Sequence, residues 1–383
     1  MTTIHIEASS EFTEPGRYRL LIAGLRAQII YLPLVLAYWM AYQFILHAVP
    51  GSGDLQFHQI LFKVLIAIIP MTFMSYIIYK FFRMLWIERP PNPIRYLARS
   101  TCEFFSHPRR LAFGLPLLII FVFFAAIFTD IKQNIPSIST FGWDVSLAEL
   151  DRLLHFGKHP WQWLQPVLGY PAVTFLVNFI YNFWFFAMWI FVVYMAFEHR
   201  ASVLRTRFFL AFFVTWSLGG SLFALIFSSA GPCYFSRLGL SPDPYAELMT
   251  YLHSVAELYP VWALNVQDTL WQSYTQGGLV AGISAMPSMH NATALLLALA
   301  GRQINKQIGY VLWAHCALIF IGSIHLAWHY AVDNYLGWAI ALACWWIASP
   351  LARWWESQAH IRHLTHSIES TATAHAEGSA PRL

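Results

Sequence analysis

Long apolar stretches recur along the whole chain, and they constrain its fold more than any other feature. An α-helix needs roughly 20 apolar residues to cross the ~30 Å hydrocarbon layer of a bilayer. Such stretches lie at residues 27–48, 59–79, 111–130, 172–196, 208–229, 288–304, 308–326 and 330–350. The chain is 58% hydrophobic and only 11% charged, against about 25% charged in soluble domains. We therefore predict an all-α integral membrane protein, a helix bundle of about eight transmembrane spans.

The sixth stretch is the weakest of these predictions, because its apolar part covers only residues 292–300. A helix there needs shielding by its neighbours. Outside the spans, the apolar residues of 131–171 follow helical spacing from Trp143 to Leu154. This pattern predicts outer interfacial helices. Two interpretations stay open, one in which they lie in the membrane surface and one in which they form a lid packed on the bundle.

Basic residues concentrate in alternate loops. Residues 80–110 contain seven Lys or Arg, 198–207 contain three and 301–307 contain two. The long loops 131–171 and 230–287 contain three and one. Since basic loops stay in the cytoplasm, both termini are predicted to be cytoplasmic. The two long loops then lie on the periplasmic, extracytoplasmic or lumenal side of a cell or inner membrane.

Two short motifs carry the candidate chemistry, and this topology puts both on the non-cytoplasmic side. The first is Met286-Pro287-Ser288-Met289-His290. Pro287 suits the first turn of a helix, and Ser288 and His290 then lie where free backbone N–H groups favour a phosphate. The second is His329-Tyr330-Ala331-Val332-Asp333. A spacing of four puts Asp333 on the helix face of His329, where a carboxylate can hold one ring nitrogen.

These residues suit a two-step phosphoryl transfer. His329, with one nitrogen held by Asp333, suits the role of nucleophile. His290 suits that of the general acid and base at the leaving and entering oxygens. Any one of the three alone is as well explained as an interfacial polar residue hydrated by water. Their occurrence together, on one side of the membrane, favours catalysis.

The motifs resemble those of the type-2 phosphatidic acid phosphatase superfamily. Within it, the stretch Ala230-Gly231-Pro232-Cys233-Tyr234-Phe235 is similar to the proline-aromatic motif of the inositol phosphorylceramide synthase-type lipid phosphotransferases. A small residue, Gly337, follows the second motif. The resemblance implies that His329 is the nucleophile, that Asp333 orients it and that His290 handles the leaving-group proton. It implies no metal and no other cofactor.

The chain departs from the phosphatases of that superfamily where they carry phosphate-binding cations. Its Arg89-Pro90 pair lies on the predicted cytoplasmic side and too far from Lys80. Gly322-Ser323 stands where the phosphatases have Ser-Arg. Arg237 is therefore the predicted phosphate-binding cation, with Ser288 and Tyr234 as further substrate-binding residues. The alternative for Arg237 is an interfacial arginine facing lipid headgroups.

Five other polar residues near the motifs are weaker candidates. Arg152 and Lys158 stand behind Arg237 as sources of positive charge. His325 lies four residues before His329, but a polar residue satisfied between helices is the favoured interpretation. His253 and Gln272 in the long loop are weaker still.

These patterns predict the following regions. Residues 1–26 form a cytoplasmic segment, 27–130 the N-terminal transmembrane helices, 131–171 the outer interfacial helices, 172–355 a catalytic core like the type-2 phosphatidic acid phosphatases and 356–383 a disordered cytoplasmic tail.

The predicted activity is that of a lipid phosphotransferase with a phosphohistidine intermediate. Its partners are a phospholipid donor and a lipid-alcohol acceptor, with no nucleic acid, and the oligomeric state stays open. A lipid phosphate phosphatase that uses water is the alternative enzyme. A transporter or scaffold is the non-enzymatic one, but a transporter predicts paired broken helices, which the sequence does not indicate.

Overall fold

The computed structural model describes residues 14–48, 57–198, 202–276 and 282–358, and these contain helices but no strand. The N-terminal half comprises α1 (Glu14–Gln28), α2 (Leu32–Ala48), α3 (Phe57–Arg83), α4 (Pro93–Ser106), α5 (Pro108–Ile138), α6 (Asp144–Leu154), α7 (Pro160–Leu168) and α8 (Pro171–Ala196). The C-terminal half comprises α9 (Val203–Ser217), α10 (Ala224–Ile226), α11 (Ala246–Ala256), α12 (Trp262–Gln276), α13 (Met289–Ile304), α14 (Lys306–His325) and α15 (Ala331–Ser357). π-helical turns follow α3 and α9.

Seven helical segments are long and apolar enough to cross a membrane. They are Tyr18–Ile45, Gln59–Glu88, Pro108–Ile138, Pro171–Ala196, Val203–Ile226, Lys306–His325 and Ala331–Ser357. These segments confirm the all-α polytopic membrane fold. They also extend the first predicted span, because helix α1 reaches back into the 1–26 segment. There Gly24 lets α1 approach α5 closely: a Cβ at this position would lie 1.8 Å from the Ala112 carbonyl oxygen.

The sixth predicted span is the one that is not among these seven. It is α13, a helix of 16 residues, which is about 24 Å long and shorter than the hydrocarbon layer. Eleven of its residues are buried, because α8, α9, α14 and α15 pack around it. The described residues thus contain seven long candidate spans and one short helix enclosed by four neighbours, rather than eight equal spans.

The predicted outer helices are α6 and α7, and both dock on the bundle. α6 packs on α15 and α7 packs on α14. Asp144 and Asp151 of α6 are each only 1% exposed, so this face of the helix contacts protein. Elsewhere α6 exposes the apolar side chains of Val145, Leu153 and Leu154, so its packing is compatible with both interpretations of residues 131–171. The predicted disordered tail lies outside the described residues from 359 onward, as do residues 1–13.

The end of the bundle away from α6 is held by Arg205. This buried guanidinium donates hydrogen bonds to the backbone carbonyls of Phe113, Met195 and Ala196. The neighbouring Thr206 hydroxyl donates to Glu356 at 2.5 Å. These contacts fix the ends of α5, α8, α9 and α15 together. The two ends of the bundle thus differ in structure. These polar contacts close one end, and α6 and α7 cover the other.

Candidate active site

The first histidine motif begins helix α13. Ser288 caps this helix: its hydroxyl accepts hydrogen bonds from the backbone and side-chain nitrogens of Asn291, the latter at 3.1 Å. The Asn291 side chain also donates to Asn334 of α15 at 2.7 Å. Ser288 is fully buried, and its own N–H donates to the Asp333 carbonyl at 3.0 Å. The Ser288 hydroxyl is therefore engaged in the contact between α13 and α15, and this residue does not line the cavity described below.

The second motif spans the turn from α14 to α15. Tyr330 is the N-cap of α15 and Asp333 is its third residue, so the Asp333 carboxylate reaches back to the Tyr330 N–H at 3.0 Å. The same oxygen lies 3.3 Å from Nδ1 of His329. A capping contact thus holds the carboxylate beside the imidazole. The Nδ1 proton is then fixed, which leaves Nε2 as the nitrogen with a free lone pair.

His290 and His329 face one another, with their ring centroids 6.1 Å apart. The ring of His290 stacks on Tyr181 at 5.0 Å and lies 4.1 Å from Trp184, both on α8. Both histidines line a cavity of about 240 Å³. Its other walls are mostly apolar, and their aromatic residues include Phe128, Trp216 and Trp328. The two rings are close enough for one phosphate group to contact both.

The electrostatics of the cavity keep His329 neutral. Burial, with a smaller contribution from the positive charge of Lys132, lowers the pKa of His329 to about 3. Burial disfavours the imidazolium because a charged ring loses its hydration. His329 therefore carries a free nitrogen lone pair at neutral pH, as a nucleophile requires.

Lys132 is the cation that this cavity contains. It lies near the end of α5, and its ammonium group donates to the Ser284 carbonyl at 3.2 Å. Among the described residues that line the cavity, no other is Lys or Arg. Sequence reasoning placed Lys132 in an outer loop and gave it no role. Its position in the sequence could have indicated this role, because Lys132 directly follows an apolar span at the end of the bundle that carries both histidines.

The predicted phosphate-binding residues divide between two locations. Tyr234 lines the cavity, and its hydroxyl donates to the Gln267 carbonyl at 3.0 Å. Arg237 does not line it: its guanidinium pairs with Asp268 and lies 5.9 Å from the ring centroid of Trp271. An arginine held in this way is positioned beside the site, and Lys132 takes the place expected for it.

The weaker candidates lie away from both histidine rings. Arg152 pairs with Glu149, and Lys158 lies over the ring of Trp163. His253 and Gln272 are exposed on α11 and α12. His325 is fully buried, and its Nε2 is 2.9 Å from the Thr174 hydroxyl of α8. Its Nδ1 is buried without a hydrogen-bond partner in the described part of the chain, so the favoured interpretation, a polar residue satisfied between helices, holds for one ring nitrogen only.

Two buried carboxylates on α6 hold the loops of the site, and sequence reasoning assigned them no function. Asp144 accepts hydrogen bonds from the backbone N–H groups of Ala230 and Gly231, at 2.9 and 2.8 Å, and from the Tyr330 hydroxyl at 2.8 Å. We call Asp144 and Asp151 the carboxylate clamp. They are seven residues apart, two helical turns, and share a face of α6. In the sequence, the pattern that could have indicated this role is a pair of acidic residues at that spacing between apolar residues.

The second member of the clamp binds the start of α15. Asp151 accepts from the N–H groups of Ala331 and Val332, at 2.8 and 2.9 Å. Carboxylates suit a helix N-terminus because its first N–H groups have no partner within the helix. The clamp therefore joins the outer helix to the residues that directly follow His329.

Two glycines permit close backbone approaches at the site. Gly231 has φ 106°, in the region that favours glycine, and a Cβ there would lie 2.7 Å from the Trp328 carbonyl oxygen. Next to it, the Cys233 N–H donates to the Ala327 carbonyl at 2.9 Å. On α15, a Cβ at Gly337 would lie 2.6 Å from the Ser288 carbonyl oxygen. The proline-aromatic motif and the two histidine motifs are thus packed directly on one another.

Fold and site define a polytopic helical membrane protein with two histidines in one cavity and an aspartate buried behind one of them. A family model of the PAP2 superfamily matches residues 145–347, which is 203 of the 383 residues and includes both histidine motifs. The chain belongs to the PAP2 superfamily. This membership supports a lipid phosphatase or phosphotransferase type of activity. No curated protein and no solved structure matches the chain significantly.

Proposed function

We propose that this protein is a lipid phosphotransferase of the inositol phosphorylceramide synthase type. It moves a phosphate-linked headgroup from a phospholipid donor to a lipid alcohol such as a ceramide-like acceptor. The observation that carries the proposal is the placement of His290 and His329 across one cavity, with Asp333 behind His329. Family membership supports only the broader class, so the choice of a lipid alcohol over water as the acceptor rests on the cavity itself.

In the first step His329 Nε2 attacks the phosphorus of the donor. Burial lowers the pKa of His290 to about 3, so this ring is neutral before the donor binds, and in the proposed cycle it takes up a proton together with the anionic donor. The bond from phosphorus to the leaving oxygen breaks as the new P–N bond forms, and His290 donates that proton to the leaving oxygen. Asp333 accepts the hydrogen bond from Nδ1–H and stabilises the positive charge on the ring. Lys132 lies beside both rings and stabilises the negative charge on the phosphoryl oxygens. The product is a phosphohistidine at residue 329 and a released lipid alcohol.

In the second step the acceptor hydroxyl replaces the leaving group. His290, now without its proton, takes the proton of that hydroxyl as its oxygen attacks the phosphorus. The P–N bond breaks and the electron pair returns to Nε2 of His329. Both histidines regain their starting protonation states. The cycle thus balances with one donor consumed and one phosphorylated acceptor formed.

The charge of the cavity favours a diester substrate, and hence transfer, over a phosphomonoester. A phosphomonoester carries about −1.5 to −2 charges at pH 7, whereas a phosphodiester carries a single negative charge. Lys132 is the one Lys or Arg among the described lining residues, which matches a single negative charge. The largely apolar walls also suit a lipid acceptor better than they suit bulk water.

The proposal includes a topology. The site opens to the non-cytoplasmic leaflet and both termini are cytoplasmic. The support is the alternation of basic loops: the loops that gather around the histidines are the ones poor in Lys and Arg. α6 and α7, which cover this end, belong to those loops.

The test uses purified protein in detergent with a phospholipid labelled at its phosphate, with and without a ceramide. We expect the label to move to the ceramide, and His329→Asn and Asp333→Asn to reduce turnover at least 100-fold. Lys132→Gln should reduce it roughly 10- to 100-fold, since a hydrogen bond to a charged group contributes about 1.5–3 kcal/mol. Arg152→Gln, which changes an exposed cation outside the cavity, serves as the matched control.

Two results would contradict the proposal in different ways. Release of the label as the water-soluble headgroup phosphate in the presence of ceramide, with no labelled ceramide, would make water the acceptor and assign the protein to the phosphatases. Undiminished turnover in His329→Asn would remove the phosphohistidine step altogether.

A further inference from the structure

A second cavity, of about 450 Å³, lies between α3, α4, α5 and α8. Lys80, Arg83 and Arg110 line it together with polar groups from four helices. These are the hydroxyls of Ser75, Tyr76, Tyr79, Ser100 and Tyr194, the carboxylates of Glu103 and Glu198, and His107. We call it the basic cavity. Nothing in the proposed reaction uses it.

The basic cavity lies at the opposite end of the bundle from the two histidines. Arg110 and Lys132 both belong to α5 and are 22 residues apart, so about 33 Å of helix separates them. The cavity is also formed at the ends of three candidate spans, which finish at Glu88, begin at Pro108 and finish at Ala196. It is therefore at the level where lipid headgroups meet the hydrocarbon layer.

The cations of the basic cavity are only partly neutralised by protein. Lys80 and Arg83 share a single carboxylate, that of Glu88, at 3.5 and 2.9 Å. Arg110 lies over the Phe104 ring, with its guanidinium carbon 4.7 Å from the ring centroid. The Nε–H of Arg83 is buried and has no hydrogen-bond partner within the part of the chain that the structure describes. Arg83 thus has one donor left beside its pair with Glu88, and the Arg110 guanidinium contacts an aromatic ring, so both can donate to an oxygen of a phosphate.

The carboxylates do not cancel this charge. Glu103 is paired with Arg99 at 2.7 Å, on the exposed face of α4. Three cations, Lys80, Arg83 and Arg110, line the cavity, and the lining carboxylate Glu103 is already paired outside it. A lining of this kind suits an anionic headgroup.

The rim of the basic cavity is suited to a membrane surface. Trp86 and Ile87, which follow α3, are 74% and 70% exposed, and Ile94 at the start of α4 is 87% exposed. Exposed apolar side chains beside basic residues are typical of a segment that lies at the lipid interface. A ligand that enters here comes from the adjacent leaflet.

We propose that the basic cavity binds the phosphodiester headgroup of an anionic phospholipid, with Arg83 and Arg110 as its phosphate ligands. The tyrosine and serine hydroxyls supply hydrogen bonds to the headgroup alcohol. This site is separate from the one that carries the proposed chemistry, and it does not depend on that chemistry. The lipid occupies the leaflet opposite to the one that supplies the donor.

The experiment counts bound lipids by native mass spectrometry on the full chain in detergent. The probe is phosphatidylglycerol, titrated against the His329→Asn variant so that no turnover occurs. We expect one tight lipid site, weakened about 10- to 100-fold by Arg110→Gln, since the lost contacts are charge-assisted hydrogen bonds. Arg110→Lys should retain most of the affinity. Arg95→Gln, which changes an exposed arginine of α4 that does not line the cavity, is the matched control and should bind like its parent.

Three comparisons separate the possible outcomes. Phosphatidylcholine, whose headgroup is zwitterionic, should bind more weakly than phosphatidylglycerol, and equal affinities would overturn the anionic assignment. Soluble glycerol phosphate should compete only weakly, and competition as strong as the lipid itself would overturn the lipid assignment. The Arg110→Gln variant is informative if its unfolding temperature equals that of the parent. If that folded variant binds phosphatidylglycerol as tightly as the parent does, the proposed site is wrong.

Discussion

The carboxylate clamp makes a quantitative prediction, because Asp144 joins three separate parts of the site. Its carboxylate accepts hydrogen bonds from the backbone N–H groups of Ala230 and Gly231 and from the Tyr330 hydroxyl. Only 1% of the residue is exposed. Asp144→Asn preserves the shape but keeps only one acceptor oxygen. The other position becomes an NH₂ group, which cannot accept from a backbone donor. At least one buried N–H is then left without a partner.

The size of the effect follows from those contacts. A hydrogen bond to a charged group contributes about 1.5–3 kcal/mol, and each ~1.4 kcal/mol corresponds to a factor of ten in an equilibrium. The loop at residues 230–231 should therefore open about 10 to 100 times more often in Asp144→Asn. Tyr330→Phe removes one of the three contacts and leaves no backbone group unpaired, so its effect should be smaller.

Hydrogen exchange followed by mass spectrometry measures this opening directly. The peptide that covers residues 229–235 should exchange about 10- to 100-fold faster in Asp144→Asn, whereas peptides of α9 should not change. Glu149→Gln is the control, since Glu149 is on the same helix but exposed and paired with Arg152. Wild-type exchange at 229–235 in folded Asp144→Asn would refute the idea that this carboxylate holds the loop.

Two further predictions concern the contact between helices and pH. Gly337→Ala should lower the Tm in detergent and reduce activity, because the added Cβ would meet the Ser288 carbonyl oxygen at 2.6 Å and backbone cannot move aside cheaply. An unchanged Tm would contradict this. Burial raises the pKa of Asp151 to about 7, from about 3.9 when unfolded. A raised carboxyl pKa stabilises the fold below about pH 4, and that contribution is lost as pH rises through 7. The Tm should therefore fall between pH 4 and 7, with Asp333 and His155 as the charged neighbours. Asp151→Asn should flatten this fall, and the same slope in both proteins would exclude Asp151 as its cause.

Much of the fold was predictable because it depends on residues that are close to one another in the sequence. The apolar lengths predicted the spans, and Pro287 predicted a helix start that lies two residues before the observed one, because Ser288 is the cap and α13 begins at Met289. The spacing of four between His329 and Asp333 predicted their contact, because helix geometry places such residues on one face. The count of spans was less certain, since the burial of α13 depends on helices that surround it.

The composition of the cavity was less predictable. Arg237 was expected to supply charge to the site, but its partner Asp268 is 31 residues away and holds it elsewhere. Lys132 reaches the cavity because α5 continues to Ile138, beyond the predicted end of the span. The contacts of Asp144 join residues 86 to 186 positions apart. No spacing along the chain indicates such pairs.

The sequence by itself determined the membrane class, the helical elements and the pairing of His329 with Asp333, because each rests on hydrophobicity or on geometry within one or two helical turns. Only the tertiary structure decided that Lys132 lines the cavity, that α13 is enclosed and that α6 clamps the loops beside His329. Those facts depend on how distant helices pack, and packing is settled by the fit of whole surfaces rather than by neighbours in the chain.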